Sequence, residues 1–568
     1  MKNKTEKEDK LVRMIIGLIW LVGIGLRLYR LTEIPAGMHV DEAGMAYDAW
    51  CLGNFGTDRF LNKWPVYLIN YGSGQSAMYA YLTMVFLKFG GVNLWMIRMP
   101  AFLSGCLVMI FGTLIAWRCF VPQGKRTGRQ ETGYWAVILT ALLLAVCPYF
   151  IMASRMGFDC NLMLGFSTVT LYVFLCAAES GKWQLFAGAG VLTGLTLYTY
   201  SLSWMVMPFF LVFALLYLLR QRRISWKNLF AMGIPVFVLA LPLLLFVAVN
   251  KFQIEPVRIL WFTIPKIPYF RTDHFHLENI VENAGILKTL LTTDRYSFNA
   301  VEPYGTLYRL SIPFVLAGIV IGVWKLVQSI RKKEMDSGCL VVFWFLAQML
   351  CALITKEPDI YRTNGIYFSL VFLAVLTMRA ALLGVAALLG RVRSTQTVSG
   401  QEKGTQQKGA QQSNTHTASG QTVAVHLAGA VLVVCYLFCG ASFAKYYFTQ
   451  YTQEYPVQWF INDYVDEIMT VFRDASPEQK IYFDNYNCSL YAYDCLIRGV
   501  SPYDWNGEND MFTQEENLGN RHYYLPPAEE IEEDAWYVVM DDSGYGANLE
   551  ARGFQWNVYG YYKVYFKP

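Results

Sequence analysis

The sequence predicts a polytopic α-helical membrane protein followed by a small α/β domain. Of its 568 residues, 55% are hydrophobic and only 16% are charged, whereas a soluble domain carries about 25% charged residues. The hydrophobic residues form blocks of the length that crosses a bilayer as a helix, about 20 residues. The end of the chain is different: from Tyr451 to Pro568 it has 7 Lys and Arg against 21 Asp and Glu.

About eleven apolar runs are predicted to span the membrane. The first lacks the small-residue cleavage pattern of a removable signal, so we expect it to be retained. The run Ser76–Phe89 is shorter than a bilayer requires, which indicates a helix lying in the interface. The predicted spans are Leu11–Tyr29, Leu94–Phe120, Tyr134–Met152, Cys160–Ala178, Trp183–Tyr200, Leu202–Leu219, Leu229–Val249, Leu310–Val327, Cys339–Thr355, Gly365–Leu389 and Val423–Ala444.

The basic residues predict the orientation of the spans, because loops rich in Lys and Arg stay in the cytoplasm. The N-terminus and every second loop are basic, which places the N-terminus inside. An odd number of spans then places the C-terminal domain outside. The chain without its acidic tail has 40 Lys and Arg against 22 Asp and Glu. This asymmetry fits a basic cytoplasmic face and argues against nucleic acid as a partner.

The sequence divides into a membrane module, residues 1–444, and an extracytoplasmic α/β domain, residues 445–568. The module has two large outside loops, 31–93 and 250–309. Residues 394–421 are rich in Gln, Ser, Thr and Gly and predict a disordered cytoplasmic linker.

The tail is expected to fold independently and to do no chemistry, because the whole membrane core separates it from the acidic loop. Lys480–Asp484 and Trp536–Met540 have strand-like patterns, Gln555–Phe566 suggests a strand pair, and Ser489–Ile497 suggests a helix between strands. Two cysteines of this domain, Cys488 and Cys495, could pair, although their spacing alone does not establish the geometry.

The most informative stretch follows the first span and contains His39, Asp41, Glu42 and Tyr47. Ionisable residues close to the membrane are candidates for function because charge is costly there. A carboxylate in a partly dry cleft can act as a general base. The alternative is structural: Asp41 could cap a helix that begins near Glu42.

A second acidic site lies between the third and fourth spans, on the same predicted side. Arg155 and Asp159 are four residues apart there, so a helical start would let them pair. The alternative is a salt bridge that only anchors the end of a helix.

Basic residues on the outside run against the usual charge bias and suggest phosphate binding, since Arg offers forked hydrogen bonds and Lys a point charge. For any single one, a surface residue or interface anchor is the alternative. These residues are Arg59, Lys63, Lys266, Arg271 and Arg362.

Three motifs together resemble glycosyltransferase family 39 and its relatives of the GT-C fold. They are Asp41-Glu42 in the first outside loop, Lys63-Trp-Pro65, and Arg98-Met-Pro100 entering the second span. These relatives include protein O-mannosyltransferases and the transferase that adds aminoarabinose to lipid A. The topological resemblance covers about 380 residues, and the motif-level match lies mostly in the first 165.

The resemblance implies a GT-C-like enzyme of the cytoplasmic membrane of a bacterium. Its donor would be a polyprenyl-phosphate-linked sugar, its acceptor a hydroxyl of a protein, lipid or envelope glycan, and transfer would invert the anomeric carbon. Asp41, Glu42 and Asp159 match the acidic positions, with Asp41 as general base. Lys63 matches a lysine that contacts the donor phosphate.

The remaining site assignments complete this hypothesis. Arg59, Arg155 and Arg362 are further candidates for the donor phosphate, and His39 and Tyr47 are candidates for contact with substrate. No cofactor or metal is required, although a divalent cation between carboxylates and phosphate is compatible with the residues. Two alternatives from other classes are a transporter or flippase of lipid-linked glycans and a non-catalytic surface-assembly protein.

Overall fold

The structure is a computed structural model that describes residues 2–70, 73–121, 128–270, 275–292, 298–399, 409–454, 460–461, 475–476, 478–484, 490–508, 517–540, 544–559 and 562–568. The α-helices in these ranges are α1 Lys2–Leu28, α2 Val40–Phe55, α3 Met78–Gly90, α4 Leu94–Phe120, α5 Gly128–Val146, α6 Pro148–Ala153, α7 Asp159–Ser180, α8 Trp183–Thr196, α9 Ser203–Arg220, α10 Trp226–Lys251, α11 Asn279–Glu282, α12 Ile286–Thr292, α13 Ile312–Lys332, α14 Gly338–Ile354, α15 Tyr367–Ser399, α16 Gly409–Thr449, α17 Tyr451–Glu454, α18 Leu490–Arg498, α19 Pro502–Glu508 and α20 Gly544–Ala551.

The strands of the same ranges are short and lie in four sheets. They are β1 Met38–His39, β2 Tyr67–Asn70, β3 Ser73–Ser76, β4 Val257–Ile259, β5 Phe262–Ile264, β6 Phe460–Ile461, β7 Ile481–Phe483, β8 Asn517–Leu518, β9 Arg521–His522, β10 Trp536–Met540, β11 Gln555–Tyr559 and β12 Tyr562–Phe566.

Each of the eleven predicted spans corresponds to a helix. Eight helices of the described residues are long and apolar enough to cross a membrane, and α5 and α14 are shorter apolar helices. The eleventh, α8, ends at Thr196 and not at the predicted Tyr200, because the chain turns through residues 197–202. The predicted span Tyr134–Met152 is divided at Cys147, since Pro148 begins a new helix. The chain is a multi-pass membrane protein.

The helices pack around a continuous apolar core, and small residues allow the closest approaches. A Cβ atom at Gly190 of α8 would collide with the backbone carbonyl of Met232 in α10. A Cβ atom at Gly194, one turn further, would lie 2.6 Å from the Leu239 side chain. Glycine at these positions therefore brings α8 and α10 together, as is common between membrane helices.

Loop 31–93 is folded: it contains α2, the β2–β3 hairpin and α3. In the antiparallel hairpin, Tyr67 pairs with Ser76 and Asn70 with Ser73. Helix α3 has 13 residues, too few to cross a bilayer. The expectation that Ser76–Phe89 is too short to span the membrane is confirmed, and its place in the interface stays a prediction.

The tail contains a six-stranded mixed sheet in the order β11-β12-β10-β7-β9-β8. Strand β7 is parallel to β10 and β9, while β12 is antiparallel to β10 and β11. The expected strands lie in this sheet, and α18 lies where a helix was predicted. The predicted fold class, a helical membrane protein with a C-terminal α/β domain, is confirmed.

The tail packs on loop 31–93, which corrects the expectation that it is separated from the acidic loop. Strand β6 pairs with β1, so that Phe460 lies opposite His39. Buried residues of loop 31–93, such as Met45, and of the tail, such as Phe483 and Trp505, belong to one hydrophobic cluster. The sequence could not show this contact, because the two segments are about 400 residues apart. Independent folding of the tail stays a prediction, and the shared core argues against it.

The predicted linker, residues 394–421, is described only at its two ends. Helix α15 continues to Ser399 and α16 begins at Gly409, whereas residues 400–408 lie outside the described ranges. The helical ends differ from the disorder predicted for this segment, because each end continues the helix of an apolar span, and extending a formed helix avoids the cost of nucleation.

Candidate active site

The two acidic loops of the sequence meet in one cavity of about 430 Å³. Its walls come from the start of α2, the β2–β3 hairpin, the start of α7, the turn after α8 and the loop between α14 and α15. The lining residues are His39, Val40, Asp41, Tyr67, Asn70, Gly74, Gln75, Phe158, Asp159, Cys160, Tyr200, Ser201, Phe298, Tyr361 and Arg362.

Asp41 lies in the first turn of α2 with its side chain 40% exposed. It does not cap the helix, as the structural alternative supposed. The cap is His39, whose Nδ1 accepts a hydrogen bond from the Asp41 backbone N–H at 3.1 Å. Burial lowers the pKa of His39 to about 3, so the imidazole is neutral and is a cap and not an ion-pair partner of Asp41. The Asp41 carboxylate is left facing the cavity.

Asp159 lies at the start of α7 and lines the same cavity. Its Oδ2 accepts from the backbone N–H of Ser76 at 3.2 Å, and its Oδ1 accepts from the backbone N–H of Cys160 at 2.8 Å. The charge of Asp41 acts on Asp159, so the two carboxylates are close enough to interact. Two acids from loops more than 100 residues apart therefore share one site.

The β2–β3 hairpin connects the two carboxylates. The Asn70 side-chain amide donates to Asp41 Oδ1 at 3.1 Å and to Gln75 Oε1 at 2.9 Å. The backbone of Ser76 holds Asp159 at the other end of the hairpin. These residues did not stand out in the sequence, although turn residues between two short runs, Asn70-Tyr-Gly-Ser73, are a hairpin signal.

Arg362 contributes a cationic side chain to the cavity lining. Its guanidinium donates to the backbone carbonyl of Glu357 at 3.2 Å and lies over the Tyr361 ring, 5.7 Å from the centroid. Burial lowers the pKa of Arg362, but the neighbouring Tyr361 and Tyr200 outweigh it, and the net shift is upward. A half-buried, fully charged guanidinium facing a polar cavity suits a phosphate.

Aromatic rings form the rest of the wall. The His39 ring meets Phe158 and Phe298 edge-to-face, with centroids 4.6 and 5.3 Å away. Tyr67 and Tyr200 also line the cavity. Rings beside a few polar groups are the usual lining of a site for a small ligand.

Glu42, predicted to be catalytic, is instead part of a buried ion pair. Its Oε1 accepts from Arg98 Nε at 3.1 Å, and neither side chain is exposed. The same carboxylate accepts from the backbone N–H of His39 at 3.0 Å and of Gly157 at 2.5 Å. These bonds hold α2, α4 and the turn before α7 together, and Glu42 does not line the cavity.

Arg155 is also structural and does not pair with Asp159 as predicted. Its guanidinium donates to the backbone carbonyls of Ile34, Arg27 and Arg30, at 2.9, 2.8 and 2.6 Å. Burial lowers its pKa to about 10. Arg155 satisfies carbonyls at and beyond the end of α1, where helical backbone partners are missing, and this use keeps it from phosphate.

Arg59 and Tyr47 are turned away from the cavity. Arg59 is fully buried and pairs with Asp48, with Nη2 and Oδ2 3.4 Å apart. The hydroxyl of Tyr47 donates to the carbonyl of Val500 in the tail at 3.0 Å. The predicted roles of Arg59 in phosphate binding and of Tyr47 in substrate binding are therefore corrected. The sequence indicated polar residues of function here, but their partners lie far along the chain.

Of the remaining cations, Lys63 and Lys266 do not line the cavity. Lys63 is exposed, and its backbone bridges to Thr57. Lys266 lies 4.0 Å from Glu255, and Arg271 falls outside the described residues. Lys63 therefore remains a candidate for the donor phosphate through the family resemblance alone.

Comparison with known proteins supports the resemblance. Residues 75–247 match the family model described as dolichyl-phosphate-mannose-protein mannosyltransferase. The crystal structure of ArnT from Cupriavidus metallidurans in the apo state aligns over 100% of both chains, at 13% identity and a TM-score of 0.52. ArnT bound to undecaprenyl phosphate aligns over 99% of both chains, at 15% identity and a TM-score of 0.52. No curated protein sequence matches the chain.

The likeness to ArnT over the whole chain shows the fold, and the family match adds the enzyme class. The chain is a glycosyltransferase of the GT-C fold. The family match begins at Gln75 in the β2–β3 hairpin and includes Asp159. Asp41 precedes the matched segment, so its role rests on the cavity and on the Asp-Glu motif of the resemblance.

A metal ion would find few ligands in this glycosyltransferase. In the described part of the chain no three His, Cys, Asp or Glu side chains cluster as a metal site would need. Asp41 and Asp159 could offer two carboxylates and Gln75 an amide oxygen, which suits a hard cation such as Mg²⁺ that keeps several waters.

Proposed function

We propose that the enzyme transfers a sugar from a polyprenyl-phosphate-linked donor to an acceptor hydroxyl, with inversion, and that Asp41 is the general base. The observation that supports this most is the convergence of Asp41, Asp159 and Arg362 on one cavity. The dolichyl-phosphate donor in the family name and the undecaprenyl phosphate bound to ArnT support the donor class.

The chemistry follows from the positions of the charges. The Asp41 carboxylate takes the proton of the acceptor hydroxyl while the oxygen of that hydroxyl attacks the anomeric carbon of the donor sugar. The bond from that carbon to the phosphate oxygen breaks, and the polyprenyl phosphate leaves with the electron pair. Arg362 stabilises the charge that develops on the phosphate. A single displacement of this kind inverts the anomeric centre.

Asp159 has a supporting role in this scheme. Two backbone N–H groups hold its carboxylate, so it is fixed where it can orient the acceptor or the sugar hydroxyls. No cofactor is needed. A divalent cation held by the two carboxylates would add positive charge near the phosphate.

A transfer assay with the purified enzyme and polyprenyl-phosphate sugars tests the proposed function. Product of inverted anomeric configuration is the expected result, and product of retained configuration would contradict the single displacement. Loss of transfer with EDTA, restored by excess Mg²⁺, would assign the cation; unchanged transfer would remove it.

The first prediction concerns the donor phosphate. Arg362→Ala is expected to weaken binding of a polyprenyl phosphate about 10-fold or more, because a charge-assisted hydrogen bond contributes roughly 1.5–3 kcal/mol. Binding can be measured by titration of the detergent-solubilised enzyme. Lys356→Ala removes an exposed cation from the same loop and is the matched control.

The Lys63→Ala variant shows which residue holds the donor phosphate: Arg362, which lines the cavity, or Lys63, which the family resemblance implies. If Lys63→Ala weakens donor binding and Arg362→Ala does not, the phosphate is held by Lys63, as the resemblance implies. The opposite result assigns the phosphate to Arg362.

The second prediction concerns topology. The alternating basic loops imply a cytoplasmic N-terminus and an extracytoplasmic tail. A cysteine introduced at position 520, where Asn520 is partly exposed, is expected to react with an impermeant maleimide added to intact bacterial cells. A cysteine at position 400 is expected to react only after the cells are lysed. Labelling at 400 and not at 520 would reverse the orientation.

A further inference from the structure

The amide of Asn70 lies between the proposed base and a buried cation. Its Nδ2 donates to Asp41 Oδ1 at 3.1 Å, and its Oδ1 accepts from Arg59 Nη2 at 2.6 Å. An amide that accepts on one side and donates on the other has its orientation fixed by both partners. The Arg59 guanidinium therefore determines which end of the Asn70 amide faces Asp41.

Arg59 is itself held rigidly. Its backbone N–H donates to Asp48 Oδ1 at 3.1 Å, and its Nη2 lies 3.4 Å from Asp48 Oδ2. Its Nη2 also donates to the carbonyl of Ile69, next to Asn70, at 3.2 Å. Burial raises the pKa of Asp48 to about 6, against the opposing effect of Arg59. These contacts hold the Arg59 guanidinium beside Asn70 independently of the Asn70 amide.

The C-terminal domain completes the arrangement. Arg59 Nη1 donates to the Tyr491 hydroxyl of α18 at 3.0 Å. The Tyr491 ring stacks on Trp505, with centroids 4.9 Å apart and planes 12° apart. Asn506 donates from its amide to the carbonyl of Arg59. The tail therefore contacts Arg59 at two points: Tyr491 accepts from its guanidinium, and Asn506 donates to its backbone carbonyl.

A glycine in α2 independently shows how closely these groups are fitted. A Cβ atom at Gly44 would lie 2.5 Å from Asn70 Oδ1 and 3.1 Å from Arg59 Nη2. Because Gly44 is only three residues after Asp41, the absent side chain leaves space for the Asn70 amide beside the helix that carries the proposed base.

We propose that Asn70 is a positioning residue for Asp41, and that Tyr491 of the C-terminal domain fixes the orientation of the Asn70 amide through Arg59. This inference rests on the proposed function, since it assigns a task to the tail in the reaction of the same site. A carboxylate that is 40% exposed can rotate, and one hydrogen bond from a fixed amide aims it at the acceptor. The tail is then part of the active-site structure, although none of its described residues lines the cavity.

The test separates positioning from folding. Asn70→Ala is expected to lower kcat about 10- to 100-fold with little change in donor KM, because misplacing a reacting group by about 1 Å can cost that much. Tyr491→Phe keeps the ring on Trp505 and removes only the hydroxyl. It should lower kcat by a smaller factor in the same way.

Tyr523→Phe is the matched control for the tail. Tyr523 is a buried tyrosine of the same domain whose hydroxyl donates to Asp494. Tyr523→Phe removes that hydrogen bond and keeps the edge-to-face contact of the ring with Tyr491. It should leave kcat unchanged. An equal loss of kcat in Tyr523→Phe and Tyr491→Phe would overturn the proposal, because it would reflect a general defect of the domain.

A double-mutant cycle with Asp41→Asn distinguishes an effect of Asn70 on Asp41 from a purely structural effect, because only the first makes the two losses of kcat depend on each other. If Asn70 acts through Asp41, Asn70→Ala should cost nothing further in the Asp41→Asn background, whereas independent defects multiply. Multiplying losses, or wild-type kcat in Asn70→Ala, would overturn the positioning role alone. Wild-type transfer by Asp41→Asn would instead overturn the proposed function.

Discussion

Asp41→Asn is expected to lower the rate of transfer about 10²–10⁴-fold, the usual cost of losing a general base. Asparagine keeps the shape of aspartate and can still receive the hydrogen bond that Asn70 donates to Asp41 Oδ1. The substitution therefore removes the proton acceptor and leaves the cavity intact. Donor binding should stay within about twofold of wild type, because the phosphate is assigned to Arg362 and not to Asp41.

The measurement is single-turnover transfer together with a donor titration on the same preparation. Glu255→Gln is the matched control, since it neutralises an exposed carboxylate that does not line the cavity. Asp159→Asn should cost less than Asp41→Asn, because Asp159 is assigned to support and not to proton transfer. Transfer at the wild-type rate by Asp41→Asn would remove Asp41 as the base, whatever Asp159→Asn does.

The sequence was sufficient for the helical membrane architecture because hydrophobic length is a local signal. It also indicated Asp41 and Asp159, since carboxylates beside apolar runs are conspicuous in any membrane chain. The predicted topology put both loops on the same side, and the structure shows that the two carboxylates line one cavity.

Roles that depend on distant partners could not be predicted. Glu42 is adjacent to Asp41 in sequence, but the two side chains point in different directions. Asp41 lines the cavity, whereas Glu42 accepts from Arg98, 56 residues further on. Arg59 and Arg155 looked like phosphate ligands because they are cations on a predicted outside loop. Only their burial shows that they serve Asn70 and the end of α1.

Asn70 was missed for a different reason. A neutral amide has no charge that stands out in a sequence, and its use depends on which group lies on each side. The hairpin that places it has only four residues per strand, fewer than the commonest strand length of about 5–6, so its sequence pattern is a weak signal. Positioning residues of this kind become visible only with the three-dimensional contacts.

Breaking the Glu42–Arg98 pair is expected to have the largest effect on stability. Both side chains are fully buried, and removing one member of a buried pair typically costs about 3–5 kcal/mol because the other charge is left uncompensated. Arg98 also donates to the carbonyls of Leu31 and Gly37, at 2.8 and 2.6 Å. Arg98→Gln should therefore lower the yield of folded enzyme and its unfolding temperature more than Glu42→Gln does.

The same variants decide whether Glu42 is structural or catalytic. Glu42→Gln retains an oxygen that can accept from Gly157, so part of the protein should still fold. Per folded molecule, its rate of transfer should stay near that of wild type, since Glu42 does not line the cavity. Thermal unfolding in detergent and the specific activity of the monodisperse fraction are the two measurements. A normal unfolding temperature with a loss of transfer comparable to that of Asp41→Asn would return Glu42 to the catalytic role that its place in the Asp-Glu motif first suggested.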